Sequence, residues 1–378
     1  MIVQKFLQWS ETAGSNERAR AASALARAFA MSELSVEETR AAEAAMALLL
    51  DDPSPKVRQA MAEALATSEK APRSIICSLA RDQVEVAGVV VCCSPVLRDQ
   101  DLVDLAADGR AGLQNAIAIR EDLSPAICAA LAEVAGRHPI AEMLDNLTAR
   151  IAKVTLRRIT ERFGDQPELR ARLLDRDDLP CDVRHDLIVR VSDALAQSLF
   201  VSGAIGQSRV ERITQDACQS ATLQLAGNIA GEEVPALVEH LRISGRLTPA
   251  FLMHTLCIGN IEFFAAAIGS ISGVSDDRVR SILVDGRRNA ILALYMSGGL
   301  ESAVAEVFAT ATLLWRKATR FDASPSALRI TDSLVEQYAR AGEGGPVSDL
   351  LSLVERMNLD FRRQAAKDYA VSMTYEAA

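Results

Sequence analysis

Leu79, Leu105 and Leu131 stand 26 residues apart, and each is followed by an alanine, Ala80, Ala106 and Ala132. Three residues earlier, Ile76, Leu102 and Cys128 hold the same register. An i, i+3, i+4 apolar set is one face of a helix. Asp82 and Asp108 share an offset in the first two units. A second apolar stretch then follows, 86–91 in one unit and 113–119 in the next. Leu97 and Leu123 match again just ahead of the next helix. A period of about 26 residues accommodates two helices of about ten residues joined by tight turns. One such pair cannot bury its apolar face alone, so its neighbours must stack on it. The repeat therefore predicts an array of helix pairs.

The rest of the chain supports helices and disfavours sheet. Alanine and leucine dominate the hydrophobic residues, and aromatics make up only 4%. Neither alanine nor leucine loses much side-chain freedom in a helix. The main β-branched run is Val89-Val90-Val91. Ser54-Pro55, Ser124-Pro125, Thr248-Pro249 and Ser324-Pro325 each read as an N-cap hydroxyl followed by proline at the first helical position. Gly227-Asn228, Gly259-Asn260, Asp285-Gly286 and Gly298-Gly299 read as stops. In the second half these signals predict helices over 180–199, 207–226, 233–244, 249–257, 261–271, 275–284, 287–297, 301–319, 326–341, 346–357 and 359–374. All four tyrosines lie there, and the repeat is degenerate, so a less regular helical end is expected. The loop at Phe163-Gly164-Asp165-Gln166-Pro167 is the expected boundary between regions 1–165 and 166–378.

The segment Leu49-Leu50-Asp51-Asp52-Pro53-Ser54-Pro55-Lys56-Val57-Arg58-Gln59-Ala60 resembles the inter-helix turn of HEAT repeats, in which an Asp-Pro turn precedes a Val-Arg helix start. The expected fold is an all-α, HEAT/armadillo-like α-solenoid of stacked antiparallel helix pairs. A wider likeness rests on Ser94-Pro95-Val96-Leu97 with Asp101-Leu102, on Gly245 to Ala250, on Gly259 to Phe264, and on Arg278-Val279-Arg280. Over roughly residues 35–300 the chain is similar to an uncharacterised bacterial family, domain of unknown function 2336. That resemblance implies a fold and assigns no activity, cofactor or site residue.

Charge and cysteine usage narrow the function. The net charge is −9, and acidic and basic residues are interspersed. General nucleic-acid binding needs a positive footprint, so it is not expected. The seven cysteines include no C-x-x-C and sit among apolar neighbours, which suits reduced thiols and a cytoplasmic setting. The first nine residues are too short and polar for a signal peptide, and no run reaches about 18 apolar residues, so no membrane span is expected.

Motifs for chemistry are sparse. Cys181 and His185 share a helical face, as do His254 and Cys257, and the two pairs would make a metal site only if they met in space. Vicinal Cys92-Cys93 would serve redox chemistry only with an exposed, acidified thiol. No G-x-S-x-G, H-E-x-x-H or P-loop is present. The carboxylate pairs Asp51/Asp52, Asp177/Asp178 and Asp276/Asp277 precede helices, where they complement the helix dipole. Arg150, Lys153 and Arg157 recur at helical spacing beside Arg158 and Arg162. Ile151, Val154, Leu156 and Ile159 are interleaved as the expected core face, and no aromatics are there for base stacking. The first three are the candidate partner-binding residues. No catalytic, metal-binding or cofactor-binding residue is assigned. The expectation is a non-enzymatic interaction or scaffold protein that binds another protein or peptide. A nucleic-acid-binding helical repeat, or an enzyme using His185 or His254, are the alternatives.

Overall fold

A computed structural model describes residues 9, 12–321, 326–338 and 346–376. Among these, the chain is all helical, with 22 α-helices, one short 3-10 turn and no strand. It divides into two compact units, Met1–Leu179 and Pro180–Ala378. The division follows the 163–167 loop by one helix. That helix is held to the first unit because Leu169 and Leu173 are buried there.

The first unit contains α1 (Ser15–Met31), α2 (Val36–Leu50), α3 (Pro55–Leu65), α4 (Arg73–Ala80), α5 (Val84–Cys93), α6 (Asp99–Ala107), α7 (Ala111–Ala118), α8 (Pro125–Val134), α9 (Arg137–Asp145), α10 (Lys153–Phe163) and α11 (Pro167–Leu174). Alternate helices stack. The series α1, α3, α5, α7, α9 and α11 forms one layer, and α2, α4, α6, α8 and α10 lie in the other. This is the solenoid arrangement. The 26-residue register has a direct structural meaning, because Leu79, Leu105 and Leu131 are buried at matching positions near the ends of α4, α6 and α8. Ala80, Ala106 and Ala132 are buried beside them and leave room for close helix approach.

Helix starts follow two mechanisms. Ser124 Oγ accepts the Ile127 N–H, and Thr248 Oγ1 accepts the Phe251 N–H, as the Ser/Thr-Pro pattern predicts. At Ser54-Pro55 the hydroxyl makes no cap bond; Asp52 Oδ1 instead accepts the Ser54 N–H at 2.8 Å. That bond fixes the turn ahead of the helix, and Asp52 is itself held in place by Arg18. Ser324-Pro325 lies outside the described residues.

Arginine and asparagine side chains tie each layer together. Arg18 grips Asp52 through two bonds, and Arg58 of α3 grips Asp82 in the same two-pronged way. Arg58 also donates to the Asp52 carbonyl, and Arg110 donates to the Asp82 carbonyl. In the other layer Arg73 binds the Asp101 carboxylate. The arginines hold the Asp52 and Asp82 carboxyls below the usual carboxylate range.

A second set of bonds closes helix C-termini, whose last carbonyls have no partner inside the helix. Arg120, just past α7, donates to the carbonyls of Val91 and Ser94 at the end of α5. Asn146 does the same one repeat later, to Ala118 and Arg120. Arg176 reaches the Leu144 carbonyl at the end of α9, and Arg162 reaches those of Ala132 and Ala135. A positive charge at that end also opposes the helix dipole favourably. Arg120 and Asn146 are themselves 26 residues apart.

The ladder separates two aspartates that the repeat pattern treats alike. Asp82 is mostly buried and doubly bonded, whereas Asp108 is exposed and meets Arg110 only at 3.5 Å. Asp82→Ala is expected to destabilise the first unit by about 1.5 kcal/mol, between the exposed and buried limits for an ion pair. Asp108→Ala should change stability by less than about 0.5 kcal/mol. Chemical denaturation of both variants checks this; equal losses would remove the ladder as a source of stability.

The second unit contains α12 (Cys181–Ala196), α13 (Leu199–Ile205), α14 (Gln207–Asn228), α15 (Val234–Ile243), α16 (Pro249–Cys257), α17 (Ile261–Ser272), α18 (Asp276–Asp285), α19 (Arg288–Ser297), α20 (Ser302–Phe321), α21 (Ala327–Tyr338) and α22 (Pro346–Glu376). Pairing is less regular here: α12 packs on α14, α15 on α17, α19 on α20, and α22 reaches α16, α20 and α21. Its core is more aromatic than the first unit's. Phe264 stacks on Phe308 at 6.2 Å, and Tyr295 meets both rings. The buried Tyr295 hydroxyl is paired with Thr312 Oγ1 at 2.6 Å.

Two boundaries differ from expectation. The stretch 346–376 is one helix, not the two expected over 346–357 and 359–374. No glycine or proline interrupts it. A separate short helix, α13, occupies 199–205, where no element was expected; it is bent by 60° from α12. The end of the predicted helix 326–341 lies outside the described residues beyond Tyr338.

Candidate functional sites

The basic residues of 150–162 do not form one stripe. Arg150 is exposed in the turn before α10, its backbone N–H bonded to the Leu123 carbonyl. Lys153 is exposed at the first position of α10, and Arg157 is half-buried; both are engaged in interactions of their own. Arg158 is committed to Glu133 and Glu161. Arg162 caps α8 and lies 4.6 Å over the Phe163 ring. Ile151, Leu156 and Ile159 are core residues, but Val154 is exposed, because it sits on the helix's outer side at the first turn.

The two Cys/His pairs do not assemble. Among the described residues no three His, Cys, Asp or Glu side chains are grouped to hold a metal ion. Cys181 donates through Sγ to the Glu233 carbonyl at 3.5 Å, and burial pushes its thiol up to about 11. Cys257 is fully buried, its thiol pushed up to about 12. Cys92 is half-buried and also raised to about 11, chiefly by burial, so it is shifted away from the reactive thiolate. Cys93 beside it is exposed, because α5 ends there.

His185 finds a partner that local spacing does not reveal. Its Nδ1 lies 2.9 Å from Nε2 of His240, 55 residues away on α15, and the rings meet edge to face. His185 is only 1% exposed, and its Nε2 has no hydrogen-bond partner among the described residues. Burial, then the neighbouring His240 and Arg246, push His185 down to about 4; Asp186 opposes weakly. Burial likewise pushes His254 on α16 down to about 4. Both imidazoles are therefore neutral at pH 7.

The surface feature that sequence reading missed is the tip of the α12–α14 hairpin. Leu199 is 87% exposed and Phe200 88% exposed, side by side on α13. Leu195, Ile205 and Ile213 are exposed nearby. Helix α13, Leu-Phe-Val-Ser-Gly-Ala-Ile, carries no charge and buries no residue. Its signal was present in the uncharged run 194–206, but the same composition describes a core helix. No single helix among the described residues is long and apolar enough to cross a membrane. The bent pair α12–α13 meets the criterion by length and composition, with Val183 and Leu187 of α12 buried within the unit.

Residues 86–345 match the model of a family described as an uncharacterised protein conserved in bacteria, DUF2336. The chain belongs to this family. No curated protein and no solved structure matches it. The DUF2336 match begins inside α5, later than the residue 35 expected, and runs to 345 rather than 300. It takes in Arg150 to Arg162, the imidazole pair and the α13 tip. Helices α1 to α4 and α22 lie outside the DUF2336 span.

Proposed function

We propose that this DUF2336 chain is a non-catalytic interaction or scaffold protein, and that the α13 tip is its contact for another protein. The observation that carries this is the near-complete exposure of Leu199 and Phe200 on an uncharged helix. Single exposed apolar residues are ordinary, but adjacent ones within an apolar cluster mark a contact surface. Burying one such side chain is worth about 1.5–3 kcal/mol. Covering the tip is therefore strongly favourable, whereas leaving it bare gains nothing for folding. Helix pairs that stack into an array suit this role, since they present extended surfaces. Arg150 and Lys153, both exposed, are the charged side chains in the first unit that an acidic segment of a partner would meet.

Site-specific photocrosslinking tests the reading. A photoreactive residue in place of Phe200 is expected to yield adducts with one or a few proteins in living cells. The same residue in place of Leu147, exposed in the first unit, should yield none. Adding Leu199→Asp should remove the adducts while shifting stability by no more than about 0.5 kcal/mol. Adducts to lipid alone, or protein adducts indifferent to Leu199→Asp, would overturn the proposal.

A further inference from the structure

The second unit contains a cleft of about 370 Å³ between the end of α16, α17, α18 and α20. We propose that it binds a neutral, mostly apolar small molecule carrying one hydrogen-bond acceptor, such as a carbonyl compound. The site is distinct from the α13 tip and does not depend on the function proposed for that tip.

The walls are apolar: Leu256, Ile261, Phe264, Leu283, Val284 and the indole of Trp315. The volume lies at the small end of the range for ligand pockets, about 300–1,000 Å³. Apolar walls of this kind favour an apolar guest. Val284 is 60% exposed, so the apolar wall continues to the mouth.

The polar side chains of the wall are nearly all committed elsewhere. Thr312 Oγ1 donates to the Phe308 carbonyl and meets the Tyr295 hydroxyl. Thr319 Oγ1 is bonded to the carbonyls of Trp315 and Arg316. Arg316 directs its guanidinium at the carbonyls of Ile282, Leu283 and Gly286. Trp315 is the exception. It is 8% exposed, and its Nε1–H has no acceptor among the described residues. An unpaired buried donor is uncommon and costly. The ring is also held firmly. Gly259 has a φ of +80°, and a Cβ there would stand 2.7 Å from Trp315 Cη2, so only glycine fits both the backbone and the contact.

Together these features select the ligand. The apolar walls take its body; the Trp315 N–H is covered by the wall in this structure, and the ligand's acceptor reaches it when a side chain of the wall turns aside. A carboxylate is disfavoured, because Asp285 stands in the lining and the Arg316 donors are already used.

The test uses the full chain with ¹⁵N-labelled tryptophan and a matched pair of probes, cyclohexyl methyl ketone and ethylcyclohexane. The chain has two tryptophans, so Trp9→Phe assigns the Trp315 indole signal. The ketone is expected to move the Trp315 indole proton downfield with saturation and to bind roughly fivefold more tightly than the hydrocarbon, the typical effect of one hydrogen bond. Val284→Phe, at an exposed position in the mouth, should weaken binding at least tenfold. No saturable shift at Trp315 up to the ketone's solubility would overturn the site. Equal binding of ketone and hydrocarbon, or a response unaffected by Val284→Phe, would overturn the acceptor and the location respectively.

Discussion

Arg316→Met is expected to destabilise the second unit by about 3 kcal/mol. Arg316 reaches from α20 to three carbonyls at the C-terminus of α18, those of Ile282, Leu283 and Gly286, 30 to 34 residues away in the chain. A bond to a charged group is worth about 1.5–3 kcal/mol, and three to one guanidinium are not additive. Methionine keeps most of the apolar stem, so the loss isolates the donors. A Cβ at Gly286 would lie 2.5 Å from the Ile282 carbonyl oxygen, so this turn fits glycine. Arg316→Lys should fall between, because one ammonium cannot span three acceptors in the guanidinium's planar geometry. Hydrogen exchange should localise the loss to α18 and α20. A change below about 1 kcal/mol in chemical denaturation, or exchange spread evenly over the chain, would show that the cap is not a major source of stability.

Acidification from pH 7 to pH 5 is expected to destabilise the second unit by about 4 kcal/mol. His185 and His254 are each shifted from 6.5 to about 4 in the folded state. A histidine held neutral by burial binds fewer protons folded than unfolded between those values. Stability therefore is fully present above about pH 6.5 and falls as the pH drops toward 4. At about 1.4 kcal/mol per pKa unit, each histidine withdraws about 2 kcal/mol by pH 5. The arginine-paired aspartates do not blur this window. Asp52 and Asp82 have folded pKa values below 3.8, so the stability they contribute is lost only at lower pH. His185→Phe should flatten roughly half of the slope, although it also leaves His240 without its ring partner. His254→Phe is the second, independent variant. A wild-type unfolding midpoint unchanged between pH 7 and 5 would show that neither imidazole is as buried in solution as in the fold.

The two expectations differ in how far they were visible beforehand. His185 and His254 each lie one turn from a cysteine, a spacing that suggests a pair of metal ligands and does not reveal burial. Their actual environments come from elsewhere: His240 lies 55 residues from His185, and nothing in local spacing connects them. Arg316 stands in a short basic run with Lys317 and Arg320, and only the fold, which brings its guanidinium to the end of α18, turns it into a cap. The basic run 150–162 shows the same limit from the other side. Its spacing on α10 was legible, but Arg158 and Arg162 are occupied by Glu133 and by the α8 carbonyls, some 25 to 30 residues upstream. One long-range signal was available and went unread: Arg120 and Asn146 repeat with the same 26-residue period as the leucines, and both cap the preceding helix of their layer.

What the sequence determined by itself was periodic and local. The spacing of Leu79, Leu105 and Leu131 sets helix length, buried face and the need for stacked neighbours, because a helical face is a property of residues three and four apart. Ser124-Pro125 and Thr248-Pro249 set helix starts for the same reason: a cap bond spans three residues. Tertiary structure decided whatever depends on which helices meet. It buried His185 against His240, spent Arg58, Arg162 and Arg316 on distant partners, opened a cleft beside Trp315, and left Leu199 and Phe200 in solvent. An apolar run reads the same whether a neighbouring helix covers it or not, so only the packed fold distinguishes the core of this chain from its exposed apolar surface.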